Sequence, residues 1–326
     1  MSGPTQPRRV FLLGASGSIG QATLAALVAR GHDVTCFLRP AAAARMALPP
    51  GVTLRTGDVT DPAALRRDGF AGDRFDAIVS CLASRSGAPD SARAIDHAAH
   101  SHALAAGKSA GVTQFVLLSA ICVQKPHLAF QHAKLAFERE LVTSGLRYSI
   151  VRPTAYFKSL SGQVERLRRG KPYLLFGDGG LTACKPISNA DLGAYLAECL
   201  DDPTLLNRIL PIGGPGPALT PREMGEALFA LMGQEPQFRQ VPVALLDGII
   251  AVLSVLGRLS PGLRDKAELA RIGRYYATES MLVLDPASGR YDADATPETG
   301  HETLIDHYAR LLRGDVADER GDHAVF

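Results

Sequence analysis

The chain has 326 residues, of which 46% are apolar and 21% charged, and its formal net charge is +2. This content supports a large buried core, in one domain or in a domain with a smaller companion. The absence of a basic block argues against nucleic-acid binding, and five separated cysteines without a C-x-x-C pair argue against disulfides or zinc and favour a reducing compartment.

Strand-like and helix-like segments alternate through the first 155 residues. We predict strands at 9–15, 33–39, 52–59, 76–83, 113–121 and 148–154, and helices that include 18–31, 91–111 and 130–145. Nearly continuous apolar strands separated by helices are typical of a parallel sheet covered on both faces. The fold prediction is therefore α/β, a Rossmann-type doubly wound parallel sheet with a smaller C-terminal α/β substrate-binding region.

The pattern is less regular after residue 155. It predicts a loop-rich segment, a helix capped near Ser188 or Asn189, a strand followed by a helix that begins at Thr220-Pro221, and a last strand in "SMLVLDP". The predicted domains are an NADPH-binding domain at 1–155, a mainly substrate-binding region at 156–312 that is interleaved with the sheet, and a polar tail at 313–326.

Neither end of the chain nor its longest apolar run predicts a membrane span. The start "MSGPTQPRRV" lacks an apolar core, so no cleaved targeting segment is expected. The run 241–259 is interrupted by Asp247, Gly248 and Arg258 and is shorter than the ~20 apolar residues of a span. A buried or amphipathic helix is the simpler interpretation, and a surface that touches a membrane or an apolar ligand is the alternative.

A glycine-rich turn follows the first strand. In Gly14-x-x-Gly17-x-x-Gly20 the first glycine permits a tight turn, the second a close approach of backbone amides to a pyrophosphate, and the third close helix packing. The phosphates would lie at the helix N-terminus. The residues predicted to bind the cofactor here are Gly14, Ala15, Ser16, Gly17, Ser18, Ile19 and Gly20.

The ends of the later strands complete the predicted cofactor site. Arg39 stands where an acidic residue would hold a ribose 2′-hydroxyl, and it can pair with a 2′-phosphate, so we predict NADPH. The other residues predicted to line the cofactor are Asp58, Val59, Cys81, Leu82, Ala83, Ser119, Lys134 and Pro153.

Lys134 lies four residues after Phe130, where short-chain dehydrogenases place Tyr-x-x-x-Lys. The lysine can hold the nicotinamide ribose and favour developing negative charge. Phe130 cannot protonate an alkoxide, which argues against carbonyl reduction and permits reduction of a carbon–carbon double bond. Lys134 is the predicted catalytic residue, and Tyr156 is a second candidate proton donor. The alternative is a surface lysine paired with Glu138 on its own helix.

Longer strings carry a family resemblance over about residues 8–310. The glycine turn, Lys134 and "RPTAYF" resemble atypical short-chain reductases related to isoflavone reductases and NmrA-like proteins. The strings "FVLLSAICVQKP", "FQHAKLAFE", "ACKPIS", "LPIGGPGPALTP" and "IGRYYATESMLVLDP" closely resemble the divinyl chlorophyllide 8-vinyl reductase family.

The resemblance implies NADPH-dependent reduction of the C8 vinyl group of 3,8-divinyl chlorophyllide or protochlorophyllide to ethyl. It implies a magnesium tetrapyrrole as partner, with no metal site in the protein, and a cytoplasmic enzyme of a bacterial phototroph. A location at the periphery of a photosynthetic membrane is the alternative. An NmrA-like redox sensor and a reductase of another conjugated alkene remain as alternative functions.

An apolar cleft with cations for a carboxylate would suit the tetrapyrrole substrate, and the residues predicted to line it are Phe157, Lys158, Tyr173, Phe176, Lys185, Arg274 and Tyr275.

Overall fold

The computed structural model describes residues 6–258 and 260–316. Residues 317–326 of the predicted polar tail lie outside this part of the chain, as does residue 259 of the apolar run. The strands are β1 (Arg9–Leu13), β2 (Asp33–Leu38), β3 (Thr53–Thr56), β4 (Ala77–Ser80), β5 (Gln114–Leu118), β6 (Arg147–Pro153), β7 (Tyr173–Phe176), β8 (Arg208–Ile212), β9 (Phe238–Val241), β10 (Val283–Leu284) and β11 (Tyr291–Asp292).

The helices surround these strands. They are α1 (Ser18–Ala29), α2 (Pro40–Ala43), α3 (Pro62–Ala64), α4 (Pro89–Ser91), α5 (His100–Ser109), α6 (Ala129–Val142), α7 (Phe157–Leu160), α8 (Val164–Arg168), α9 (Asn189–Glu198), α10 (Pro221–Leu231), α11 (Val243–Leu256), α12 (Pro261–Thr278) and α13 (Leu304–Arg313). The wider π-helical segment Ala92–Ala99 joins α4 to α5 without a break, and a second one, Leu65–Phe70, continues α3.

One seven-stranded sheet organises the fold, in the order β3-β2-β1-β4-β5-β6-β8. All of its neighbouring strands pair in parallel. The carboxyl ends of the strands therefore meet at one edge, where such sheets bind ligands. The predicted doubly wound parallel sheet is confirmed.

Both faces of the sheet are covered. Leu12 and Val79 belong to the buried cluster on the side of α1 and α9, and their neighbours Phe11 and Ile78 belong to the cluster on the side of α5 and α6. Successive strand residues point to opposite faces, so both sets must be apolar. This explains why the strands are apolar without alternation.

The C-terminal region is built on a third buried cluster. The segment predicted to be loop-rich contains β7, which pairs in parallel with β9 in a separate two-stranded sheet. In the predicted last strand, β10 pairs antiparallel to β11, and Met281 makes an isolated parallel bridge with Cys184. The predicted caps are confirmed: Ser188 accepts a hydrogen bond from Asp191 N at 3.0 Å, and Thr220 forms a capping box with Glu223.

The described part of the apolar run forms α11, and no residue of this helix is buried. Of the two interpretations, a buried helix and an amphipathic helix, the buried one is wrong. The helix packs on α12 and leaves Leu245, Val252 and Val255 55–61% exposed. In the described residues, no helix is both long and apolar enough to cross a membrane.

Candidate active site

The turn between β1 and α1 is tightly packed backbone. Gly14 has φ +78°, and a Cβ there would lie 2.6 Å from the carbonyl carbon of Cys81. A Cβ on Gly20 would lie 2.1 Å from the carbonyl oxygen of Gly14. Helix α1 begins after Gly17 with no side chain capping its amides and no acidic residue in its first turn. This end of the helix is therefore suited to an anion.

Arg39 and Asp58 follow the next two strand ends. Both side chains are exposed, Arg39 directly after β2 and Asp58 two residues after β3. Hydrogen bonds from the backbone N–H and hydroxyl of Thr60 lower the pKa of Asp58, and the charge of Arg39 lowers it further. The cation predicted to meet a 2′-phosphate thus lies at the same edge as the glycine turn.

Cys81 and Ser119 follow β4 and β5. The Sγ of Cys81 lies 3.5 Å from the hydroxyl oxygen of Thr23 in α1, and burial raises the pKa of Cys81 to about 11, so this thiol stays protonated.

The hydroxyl of Ser119 donates to Glu138 in α6, and Glu138 also forms a buried ion pair with Arg152 of β6. Pro153 is the last residue of β6.

Lys134 is buried and does not pair with Glu138. Its Nζ lies 3.0 Å from Oδ1 of Asp96, and the two side chains are 9% and 1% exposed. Asp96 belongs to the π-helical segment between α4 and α5. Its Oδ1 also accepts from the backbone N of Ser84 at 3.4 Å, whereas its Oδ2 is buried without a hydrogen-bond partner in the described chain. The interpretation of Lys134 as a surface lysine is therefore wrong.

His100 connects the π-helical segment to β4 and α6. Its Nε2 lies 2.9 Å from the hydroxyl oxygen of Ser80, and its Nδ1 lies 3.0 Å from the carbonyl oxygen of Ile95. Its ring stacks on Phe137 of α6 at 4.8 Å. Burial and then the charge of Lys134 lower the pKa of His100 to about 4, so the ring is neutral near pH 7. A neutral ring donates from Nδ1 to Ile95 and accepts from Ser80.

Two tyrosines lie near Cys122, which follows β5. The hydroxyl of Tyr276 in α12 lies 3.9 Å from the Sγ of Cys122. Burial raises the pKa of Tyr156, and the neighbouring Cys122 raises it further, so this hydroxyl is protonated at neutral pH. Tyr276 is more exposed, with 37% of its surface accessible.

Most of the residues predicted to line a substrate cleft are packed in the core or paired with a carboxylate of the protein. Phe157, Tyr173 and Tyr275 are buried in the C-terminal cluster, and the Tyr275 hydroxyl donates to the carbonyl oxygen of Cys122 at 2.9 Å. The two cations Lys185 and Arg274 form ion pairs with Glu298 and Asp247. Lys158 and Phe176 are half-buried. Their contact with substrate stays a prediction.

Asp96 and His100 were not predicted from the sequence. The available signal was an acidic residue and a histidine four positions apart in "AIDHAAH", within an otherwise alanine-rich helix. From the sequence alone, these two residues could lie on an exposed helix face or in a buried site. Only the pairing with Lys134, 38 positions later, distinguishes the two interpretations.

Comparison with known proteins identifies the family of the chain. An NAD(P)H-binding family model matches residues 14–203. A protein from Oryza sativa subsp. indica named divinyl chlorophyllide a 8-vinyl-reductase, chloroplastic, is 47% identical, and the match covers 97% of this chain and 82% of the relative. The chain belongs to the divinyl chlorophyllide a 8-vinyl-reductase family. A Zea mays protein of the same name is also 47% identical, over 99% of this chain and 84% of its own length.

Membership in this reductase family confirms the resemblance, the NAD(P)H-binding domain and the prediction of an oxidoreductase. The fold is also found in an NADPH-dependent quinone oxidoreductase from Escherichia coli solved with NADPH, at TM-score 0.64 and 20% identity over 93% of this chain and 99% of that chain.

The residues present fit the cofactor. The space at Gly14 and Gly20 has no room for a Cβ, the amides of α1 are not capped by a side chain, and Arg39 stands beside Asp58. The cofactor residues predicted from the sequence after β1, β2, β3, β4 and β5 lie at the carboxyl edge of the sheet.

Proposed function

We propose that this chain reduces the C8 vinyl group of a 3,8-divinyl chlorophyllide or protochlorophyllide to ethyl, with NADPH as the reductant. The observation that carries this proposal is the 47% identity, over nearly the whole chain, to proteins named for that reduction. NADPH would supply the hydride, and the second hydrogen would arrive as a proton.

The site chemistry supports reduction of an alkene. Phe130 offers no hydroxyl at the position where a carbonyl reductase needs a proton donor. Lys134 is buried and charged beside Asp96, so it would orient the cofactor and favour negative charge that spreads over the macrocycle. Tyr156 is the proposed proton donor: its hydroxyl is protonated at neutral pH, and because burial raises its pKa, the proton would have to be drawn by negative charge that develops on the macrocycle. The magnesium would enter with the pigment.

The test is a spectroscopic assay with 3,8-divinyl chlorophyllide, its protochlorophyllide analogue and a phenolic conjugated alkene. We expect the absorbance shift of vinyl-to-ethyl conversion with a divinyl pigment, and no turnover of the phenolic alkene. Because Arg39 can pair with a 2′-phosphate, NADPH should be preferred over NADH by at least about tenfold. Binding of NADPH without any pigment-dependent oxidation would instead indicate a redox sensor and contradict the proposal.

Helix α11 supports a second part of the proposal, contact with the surface of an anionic membrane. Leu245, Ile249, Val252 and Leu256 recur at helical spacing and are each at least 41% exposed. A helix of 14 residues is about 21 Å long, so it can lie on a bilayer whose apolar core is about 30 Å thick but cannot span it.

The size and surroundings of this face favour lipid over a second copy of the chain. A strip about 21 Å long and about 10 Å wide offers roughly 200 Å², against about 800 Å² per partner in a stable protein interface. Arg239 and Arg258, exposed on either side of the helix in sequence, could meet anionic headgroups. A cytoplasmic location in a bacterial phototroph stays a prediction from the sequence.

Flotation with vesicles of phosphatidylcholine and phosphatidylglycerol tests this contact. The wild-type chain should float with the vesicles, and Val252→Asp together with Val255→Asp should reduce the bound fraction at least about fivefold, because two charges would enter the apolar face. Leu231→Asp, at an exposed leucine of α10, is the matched control and should float as the wild type does. Equal flotation of all three chains would exclude α11 as the contact.

A further inference from the structure

The carboxylate of Asp96 is only partly used within the protein. Its Oδ1 receives Lys134 and the more distant N–H of Ser84, whereas its Oδ2 is buried and accepts no hydrogen bond from the described residues. Buried polar atoms are nearly always hydrogen-bonded, and a carboxylate oxygen left without a donor is costly. We therefore expect Oδ2 of Asp96 to accept a hydrogen bond from a group outside the described residues.

Neighbouring side chains do not supply that donor. His100 points its Nδ1–H to the Ile95 carbonyl and its other nitrogen to Ser80. His97, in the same π-helical segment, lies 3.5 Å from Glu140. In the ion pairs of the described residues, Asp96 has one cation, Lys134.

The hydrogen-bond acceptor and donor of the Asp96–Lys134 pair complement the two hydroxyls of a vicinal diol. A carboxylate oxygen accepts one O–H, while an ammonium donates to the oxygen of the adjacent hydroxyl. The torsion about the Cβ–Cγ bond of an aspartate is soft, so a small rotation can present Oδ2 without moving the helix. Phe130, one helical turn before Lys134, has no hydroxyl to offer for this task.

We propose that Asp96 and Lys134 form a two-point clamp for the vicinal diol of the nicotinamide ribose, in which Asp96 both binds a ribose hydroxyl and positions the ammonium of Lys134. This inference rests on the NADPH binding of the proposed function and adds Asp96 to the cofactor site. The π-helical segment serves the clamp because it carries Asp96 toward α6, and His100 holds that segment against β4 and Phe137.

Binding measurements without pigment test the clamp. Titration of the Asp96→Asn variant with NADPH should show affinity about ten- to hundredfold below wild type, the effect of losing a hydrogen bond to a charged group. Affinity for 2′,5′-ADP, which carries the adenine half and no nicotinamide ribose, should stay within about twofold of wild type. Asp90→Asn, at an exposed carboxylate of α4, is the matched control and should change neither affinity.

A second variant covers a failure of Asp96→Asn to fold. Asp96→Glu keeps a negative charge beside Lys134 and moves the carboxylate by one methylene, so NADPH affinity should again fall while 2′,5′-ADP affinity holds. The clamp is overturned if NADPH affinity is unchanged, or if both ligands weaken in the same proportion, as a general structural defect would produce. Since no pigment is present, a chain that fails the vinyl-reduction assay can still pass this test.

Discussion

Replacing Lys134 with alanine is expected to lower the rate of vinyl reduction by about two to three orders of magnitude. The ammonium is buried, so solvent cations cannot replace it, and its loss would remove both the proposed anchor for the ribose and the positive charge proposed to favour negative charge on the macrocycle. The measurement is the rate of absorbance change with divinyl pigment and saturating NADPH.

The same substitution should also reduce stability, because Asp96 would remain as a buried carboxylate without its cation. Breaking a buried pair in this way typically costs about 3–5 kcal/mol, which urea unfolding can measure. Lys108→Ala removes an exposed lysine of α5 that donates to the Ser144 carbonyl, and it should leave the rate unchanged. Turnover by Lys134→Ala close to that of the wild type would remove this lysine from the chemistry.

Alanine at Gly20 should reduce NADPH affinity by about a hundredfold or more. Its Cβ would lie 2.1 Å from the Gly14 carbonyl oxygen and 2.9 Å from the Cα of Ala15, so backbone, and not a flexible side chain, would have to move. Moving α1 away from the turn displaces the amides that would receive the pyrophosphate. Fluorescence titration with NADPH measures the loss.

The matched control is Gly248→Ala in α11. No atom lies within 4 Å of the position of its added Cβ, so this substitution should leave NADPH affinity unchanged and stabilise the helix by about 0.5–1 kcal/mol. If Gly20→Ala bound NADPH as tightly as Gly248→Ala does, the turn would not be the phosphate site.

The parallel sheet and its ligand edge could be predicted from the sequence because they depend on local patterns. Apolar runs mark the strands, and the glycine spacing marks the turn after β1. The cap residue Thr220 is followed by proline and, three positions on, by Glu223, so the start of α10 could also be read directly. Each of these features is determined within about ten residues of chain.

Features that depend on distant partners could not be predicted. Lys134 had a plausible local partner in Glu138, but Glu138 is held by Ser119 and Arg152, and the charge that meets Lys134 comes from another helix. Strand β7 pairs with β9 more than 60 residues away, and the short, polar β9 does not resemble a strand. Helix α11 has the composition of a core helix, yet it packs on α12 and leaves most of its apolar side chains in solvent.

The helix that carries Lys134 is completed by a residue from the other end of the chain. The backbone N–H of Ala129, in the first turn of α6, donates to the carboxylate of Glu268 in α12 at 3.0 Å. A negative charge at this position also interacts favourably with the positive N-terminal end of the helix dipole. A chain cut after β6 would leave the Ala129 N–H without this acceptor, so the cofactor half should not fold to its full stability alone. Any movement of α12 would also be transmitted directly to the start of the helix that carries Lys134.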